Sequence, residues 1–182
     1  NWLYEDNWLV QKAARRADAH FVPAFFLQDK TKDKYHLSAV PKFLPTPVVI
    51  PAQIQKAQVP TVCFISRWDR RKRPEMFFEL VKAFPGVRFL AAGQSRDAEW
   101  DHYLRSKYGG LPNLELLGFI DQFSAANGNQ GNRLWQIFSE SWVLVNTAAR
   151  EGLPNALKEA AAHGCAILSS VDPDGFASRF GY

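Results

Sequence analysis

Glu151 and Glu159 are separated by seven residues in the stretch Arg150-Glu-Gly-Leu-Pro-Asn-Ala-Leu-Lys-Glu-Ala-Ala-Ala-His-Gly164. Two carboxylates accept hydrogen bonds from hydroxyls, and near a phosphate they would repel it unless each has hydroxyls to accept from. Pro154 suits the first position of a helix, where its missing N–H costs nothing, and Gly164 suits the position past the end. A short helix is therefore expected over 154–163. Glu151 then lies in the loop before it and Glu159 about one and a half turns in, roughly 9 Å further along. The free N–H groups and the dipole at such a helix start favour an anion. These features fit a ligand with sugars on both sides of a phosphate group. Two glutamates at this spacing also arise on a solvated helix face. The flanking Gly152, Pro154, Asn155 and Gly164, with an apolar run on either side, favour a ligand site.

The elements that must position these residues alternate regularly. Trp142 to Asn146 and Cys165 to Leu168 read as strands before and after the glutamate helix. Upstream, Thr61 to Ser66 is a buried-type strand. Pro74 starts a helix whose Met76, Phe77, Leu80, Val81 and Phe84 are expected to share one face. Val87 to Ala92 is a second strand closed by Gly93, and Trp100, Tyr103 and Leu104 mark a helix ending at Gly109. Leu114 to Leu117 is a third strand. The Asn/Gly-rich stretch from Asn127 to Asn132 reads as a flexible surface loop. Leu134, Trp135, Ile137 and Phe138 form the next helix. Strands alternating with helices at this spacing predict an α/β fold, a Rossmann-like parallel sheet with right-handed crossovers and helices on both faces.

Residues 1–52 read differently. Trp2, Leu3, Trp8 and Leu9 through Ala17 suit an amphipathic helix, Ala19 to Val22 a short strand, and part of Phe25 to Tyr35 a second helix. Pro41, Pro45, Pro47 and Pro51 stiffen an extended stretch, and no self-contained core is visible. The expected division is 1–52 and 53–182.

The chain has 182 residues, 47% of them hydrophobic, with a formal charge of +4. That charge does not indicate a dedicated nucleic-acid binder. It is compatible with acidic phosphates and with peripheral contact at an anionic membrane. Cys63 and Cys165 lie in strand-like runs, and free buried thiols suit a reducing, cytoplasmic compartment. No apolar run approaches a membrane span. His20, His36, His102 and His163 show no metal-ligand spacing; His163 suits the helix C-terminus. Asp172-Pro-Asp174-Gly175 reads as a turn rather than a metal-holding pair of aspartates.

The glutamate stretch resembles the donor-binding signature of retaining glycosyltransferases of family 4, which have the GT-B fold. A common form of that signature is Glu-Gly-Phe-Pro-Asn, apolar residues, then Glu-Ala, with Leu153 here in place of Phe. The resemblance implies that Glu151 contacts the donor sugar and Glu159 the ribose, with Gly152, Leu153, Pro154 and Asn155 completing the loop. The family also carries an Arg at the end of the first strand of this domain and a Lys five residues later, both on the donor diphosphate. The matches are Arg67 and Lys72 in Arg67-Trp-Asp-Arg-Arg-Lys72, although Ser66 stands where a Gly is usual. An Arg fork and a Lys charge at a strand's carboxyl end can neutralise a diphosphate leaving group without a metal, and no cofactor is expected. Arg70, Arg71 and Arg73 are expected at the surface. Gly93 either admits a ligand's close approach or is a plain turn glycine, and the resemblance places Ile120 against the nucleobase.

The resemblance further implies that residues 1–52 are the end of an acceptor-side domain and its linker. Residues 53–182 would be most of the donor-binding domain, lacking its last elements. The expected activity is transfer of a sugar from a nucleotide-diphosphate sugar to a glycan or lipid-linked acceptor hydroxyl with retention, Glu151, Arg67 and Lys72 being catalytic. The donor-binding half alone is expected not to turn over. The alternative is a non-catalytic nucleotide- or partner-binding module. A dinucleotide-binding version would carry Gly-x-Gly-x-x-Gly after the first strand, where this chain has a basic, nearly glycine-free loop.

Overall fold

The computed structural model describes residues 7–121 and 130–181. The chain divides into two compact units, 1–47 and 48–182. In the first, α1 (Trp8–Arg16) begins where the Asn7 side chain accepts the Val10 N–H at 3.0 Å. Helix α2 (Leu27–Tyr35) stops at His36, whose φ of 51° breaks the helical path. Two short strands, β1 (Phe21–Val22) and β2 (Lys42–Phe43), pair in parallel, so the expected strand from Ala19 is reduced to its last two residues. The Phe25 and Phe43 rings stack at 4.0 Å. Trp2 and Leu3, assigned above to the first helix, lie outside the described residues.

The second unit is a five-stranded, fully parallel sheet. Its strands are β3 (Thr61–Ile65), β4 (Arg88–Ala92), β5 (Leu114–Gly118), β6 (Val143–Asn146) and β7 (Ala166–Ser169), in the spatial order β5-β4-β3-β6-β7. Helices α3 (Pro74–Ala83), α4 (Ala98–Tyr108), α5 (Gln130–Glu140), α6 (Asn155–Ala162) and α7 (Phe176–Phe180) connect or follow them. Right-handed crossovers put helices on opposite faces once the direction of strand addition reverses. That reversal lies between β3 and β6, which are hydrogen-bonded neighbours.

Both faces are covered, so the strands are apolar on both sides. On one face Phe64, Phe89, Ala91 and Val145 pack with Phe77, Phe78 and Val81 of α3 and Leu104 and Tyr108 of α4. On the other, Cys63, Leu90, Leu144 and Ile167 pack with Leu134, Ile137 and Phe138 of α5 and Leu157 and Ala160 of α6. The expected face of α3 is shifted: Phe77, Phe78 and Val81 are buried, whereas Met76 is 45% exposed and Phe84 lies beyond the helix, 54% exposed. Helix α5 begins at Gln130, so 130–132 are helical rather than loop; residues 127–129 of that stretch lie outside the described residues.

The end of α6 follows from Gly164. With φ of 67°, it lets its own N–H reach the Ala161 carbonyl at 2.9 Å and the Cys165 N–H reach the Ala160 carbonyl at 2.9 Å. This pair of bonds closes the last turn. Pro154 adopts ψ of 137° and sits before the helix as its cap, so α6 covers 155–162 rather than 154–163.

Lys56 ties the segment leading into β3 to the far end of the sheet. Its ammonium donates to the carbonyls of Phe138 (3.3 Å), Ser141 (2.5 Å) and His163 (2.8 Å), at the C-terminal ends of α5 and α6. A cation there meets the negative ends of two helix dipoles. The Cys165 thiol lies 3.4 Å away. Both cysteines are free and buried. Among the described residues no helix is long and apolar enough to cross a membrane.

Candidate functional site

At the reversal point the loops after β3 and β6 face each other, the place where open parallel sheets bind ligands. The loop after β3 is held by Trp68, which is fully buried against the edge of Phe78 at 5.4 Å with the Arg105 guanidinium 4.7 Å over its ring. The Ser66 and Trp68 N–H groups donate to Ala92 and Gln94 carbonyls at 3.1 and 3.0 Å, extending the pairing beyond the strands. Gly93, with φ of 139°, runs so close to the Ser66 carbonyl that a Cβ there would overlap it. Its smallness therefore serves contact between two loops of this chain. The missing Gly at 66 is compatible with that arrangement, because Ser66 turns its carbonyl toward Gly93.

A single 3-10 turn, Arg70–Lys72, then brings Lys72 inward, and Arg73 follows in the left-handed region at φ 46°. Lys72 Nζ forms an ion pair with Glu151 Oε1, with side-chain exposures of 18% and 13%. The two loops are also laced through their backbones. Thr147 Oγ1 donates to the Lys72 carbonyl at 2.6 Å, and the Ala149 N–H donates to the Arg71 carbonyl at 2.8 Å. Arg73 Nε donates to the Thr147 carbonyl at 2.6 Å, and its Nη2 to the Ala148 carbonyl (3.3 Å) and Ser170 Oγ (3.0 Å). Arg73 is half-buried and structural, which corrects the expectation of a surface residue. Arg70 is exposed and stacks on Trp100 at 4.1 Å.

Lys72, Glu151 and Pro154 thus line one crevice, together with Ser66, Asn146 and Leu157. Its volume is about 30 Å³, that of a water molecule. Arg67 is not in it. Arg67 is half-exposed, pairs with Asp69 at 3.4 Å, and borders a neighbouring cavity of about 270 Å³ with Arg70, Ser95, Arg96 and Trp100. Gly152 and Leu153 are partly buried in the loop after Glu151, and Asn155 is exposed at the start of α6. Ile120 packs against the core beside α5 and α6.

Glu159 is half-buried on α6, and among the described residues its carboxylate makes no hydrogen bond or ion pair. Burial pushes its pKa above the ordinary carboxylate value, opposed by nearby His163 and Lys158. A carboxylate held this way is short of donors, which hydroxyls of a ligand can supply. His163 is buried at the helix end, with Nδ1 2.8 Å from the Glu159 carbonyl. Asp172 is taken up by the start of α7, accepting the Ala177 N–H at 2.7 Å, so the Asp-Pro-Asp-Gly turn serves as a cap. Among the described residues no three His, Cys, Asp or Glu side chains are grouped to hold a metal.

A family model described as Glycosyl transferases group 1 matches residues 59–178. Among solved structures, the pneumococcal O-GlcNAc transferase GtfA, in complex with UDP and GlcNAc, superposes with a TM-score of 0.61 at 16% identity. That match covers 93% of this chain and 32% of GtfA. Sucrose-phosphate synthase from Thermosynechococcus elongatus gives 0.62 at 19% identity over 88% of this chain and 42% of its own. S. aureus TarM gives 0.60 at 18% identity over 88% of this chain and 31% of its own. The chain therefore spans about a third of the length of GtfA and of TarM. At these identities the likeness is one of fold. Among curated proteins none matches this chain in sequence.

Proposed function

Because this chain belongs to the glycosyl transferases group 1 family, we propose that it is the donor-binding half of a retaining glycosyltransferase of family 4. The reaction is transfer of a sugar from a nucleotide-diphosphate sugar to a hydroxyl of a glycan or lipid-linked acceptor, in the cytoplasm or at the inner face of a membrane. One observation carries the reading: the Lys72–Glu151 pair stands at the reversal point of the sheet, beside the start of α6. A cation and a carboxylate placed together there match a ligand that carries a phosphate next to sugar hydroxyls.

Lys72, aided by Arg67 and the N–H groups at the start of α6, stabilises charge on the departing diphosphate, so the step needs no metal. Glu151 orients the donor sugar through its hydroxyls, and Glu159 accepts from the ribose. The crevice is too small for a diphosphate, so the ligand lies at its mouth and separates Lys72 from Glu151 on arrival.

Calorimetric titration with UDP, GDP and NAD tests the proposal. Binding of one nucleoside diphosphate that persists in EDTA is expected. Preference for NAD, or loss of binding with EDTA, would overturn it.

A further inference from the structure

We propose that Arg73 is a positioning residue that sets the register between the loop carrying Lys72 and the loop carrying Glu151. The inference rests on the reading of those two residues as donor contacts.

Arg73 occupies the left-handed region at φ 46° and ψ 53°, where a residue with a Cβ is disfavoured. Such a conformation persists where the surroundings over-determine it. Here they do so from three sides. Pro74 is buried and opens α3, which fixes the chain after Arg73. The Arg73 carbonyl lies 3.0 Å from Thr147 Oγ1. The guanidinium returns to the Thr147 and Ala148 carbonyls and to Ser170, whose own hydroxyl donates to the Ala148 carbonyl at 2.7 Å. One side chain thereby joins the loops that follow β3, β6 and β7.

The residue before Arg73 is Lys72, and Glu151 follows the clamped 147–149 segment. A displacement of the clamp is passed directly to both partners, and a shift of about 1 Å in a reacting group can cost on the order of a hundredfold in rate. The described bonds of the fork end on protein atoms of the loops, so Arg73 acts through Lys72 and Glu151. A lysine keeps the charge but lacks the planar fork that reaches two carbonyls and a hydroxyl together.

Arg73→Gly is the informative change in the 182-residue chain. Glycine accepts the left-handed backbone without strain, so this variant removes the fork while leaving the turn its preferred geometry. The coupling between Lys72→Met and Glu151→Gln is measured by a double-mutant cycle in denaturant unfolding, once in the unaltered background and once in the Arg73→Gly background. The expected result is a coupling that falls by more than half in the Arg73→Gly background and is only partly restored by Arg73→Lys. Affinity for UDP or GDP is expected to weaken about tenfold alongside it. A coupling that is absent from the outset, or unchanged without the fork, overturns the inference. If the unaltered chain binds no nucleoside diphosphate, the donor reading fails, and the coupling alone still decides whether Arg73 positions the pair.

Discussion

Lys72 and Glu151, 79 residues apart in sequence, meet as an ion pair at the reversal point of the sheet. Each neutralises the other, and an arriving diphosphate competes for Lys72. Losing one charge-assisted bond costs about 1.5–3 kcal/mol, so Lys72→Ala is expected to weaken a nucleoside diphosphate by roughly tenfold or more. It also leaves a mostly buried carboxylate unpaired, so it should destabilise the chain more than the double change Lys72→Met with Glu151→Gln. Calorimetry and urea unfolding of the three proteins check both statements.

Two glutamates in different settings should have separable effects. Glu159→Ala is expected to weaken free nucleotide and nucleotide sugar alike, because the ribose is common to both. Glu151→Ala should not weaken the nucleotide, since it frees Lys72 from its ion pair, and should weaken only the sugar-bearing ligand. Parallel titrations with UDP and a UDP-sugar decide it, and equal losses at both positions would refute the division.

The raised pKa of Glu159 has a definite sign in stability. Folding disfavours the ionised form, so the contribution of this residue is best below the ordinary value of 4.5 and is progressively lost as pH rises past it through the raised value. Glu159→Gln removes that loss. Its melting temperature relative to the unaltered chain should climb from about pH 4 upward and level off once the carboxyl is fully ionised. A pH-independent difference would contradict the buried, donor-poor setting.

Lys56→Met should cost about 2–4 kcal/mol, since three carbonyls at two helix ends lose a charged donor. The same change removes the ammonium that opposes the burial-raised pKa of the neighbouring Cys165 thiol, so alkylation of Cys165 in the folded chain is expected to slow. Cys63, buried and with its pKa pushed up to about 12, supplies an internal control that stays unreactive until the chain unfolds. Urea titration and mass-resolved labelling read the two effects separately.

The sheet and its helices were legible because buried parallel strands are apolar runs, as in Val62 to Ile65 and Val143 to Val145, and because Pro74 and Gly164 punctuate their helices. The inward face of α3 was less so, because Met76 and Phe84 are as apolar as the buried Phe77 and Phe78 and periodicity alone does not rank them. Glu151 and Lys72 stand out in the sequence as candidates through the resemblance of their motifs. Their mutual pairing was not legible, since a contact between polar residues on distant loops leaves no period in the sequence. Arg73 and Lys56 were hidden for the same reason: each bonds backbone carbonyls, whose positions depend on the finished fold.

The strand order has a consequence for how the site comes into being. Val62 pairs with Phe89 through a local crossover, but also with Val143 across a much longer stretch of chain. Closing the longer loop costs more entropy and is the slower event. The half containing β3, β4 and β5 is thus expected to assemble first, with the basic loop already attached and Lys72 still without its partner. Only when β6 docks beside β3 do Thr147, Arg73 and Glu151 come together. Nucleotide retention is therefore expected to appear only once β6 has docked beside β3, so pulse-labelled refolding should show protection of β3, β4 and β5 before any nucleotide is retained.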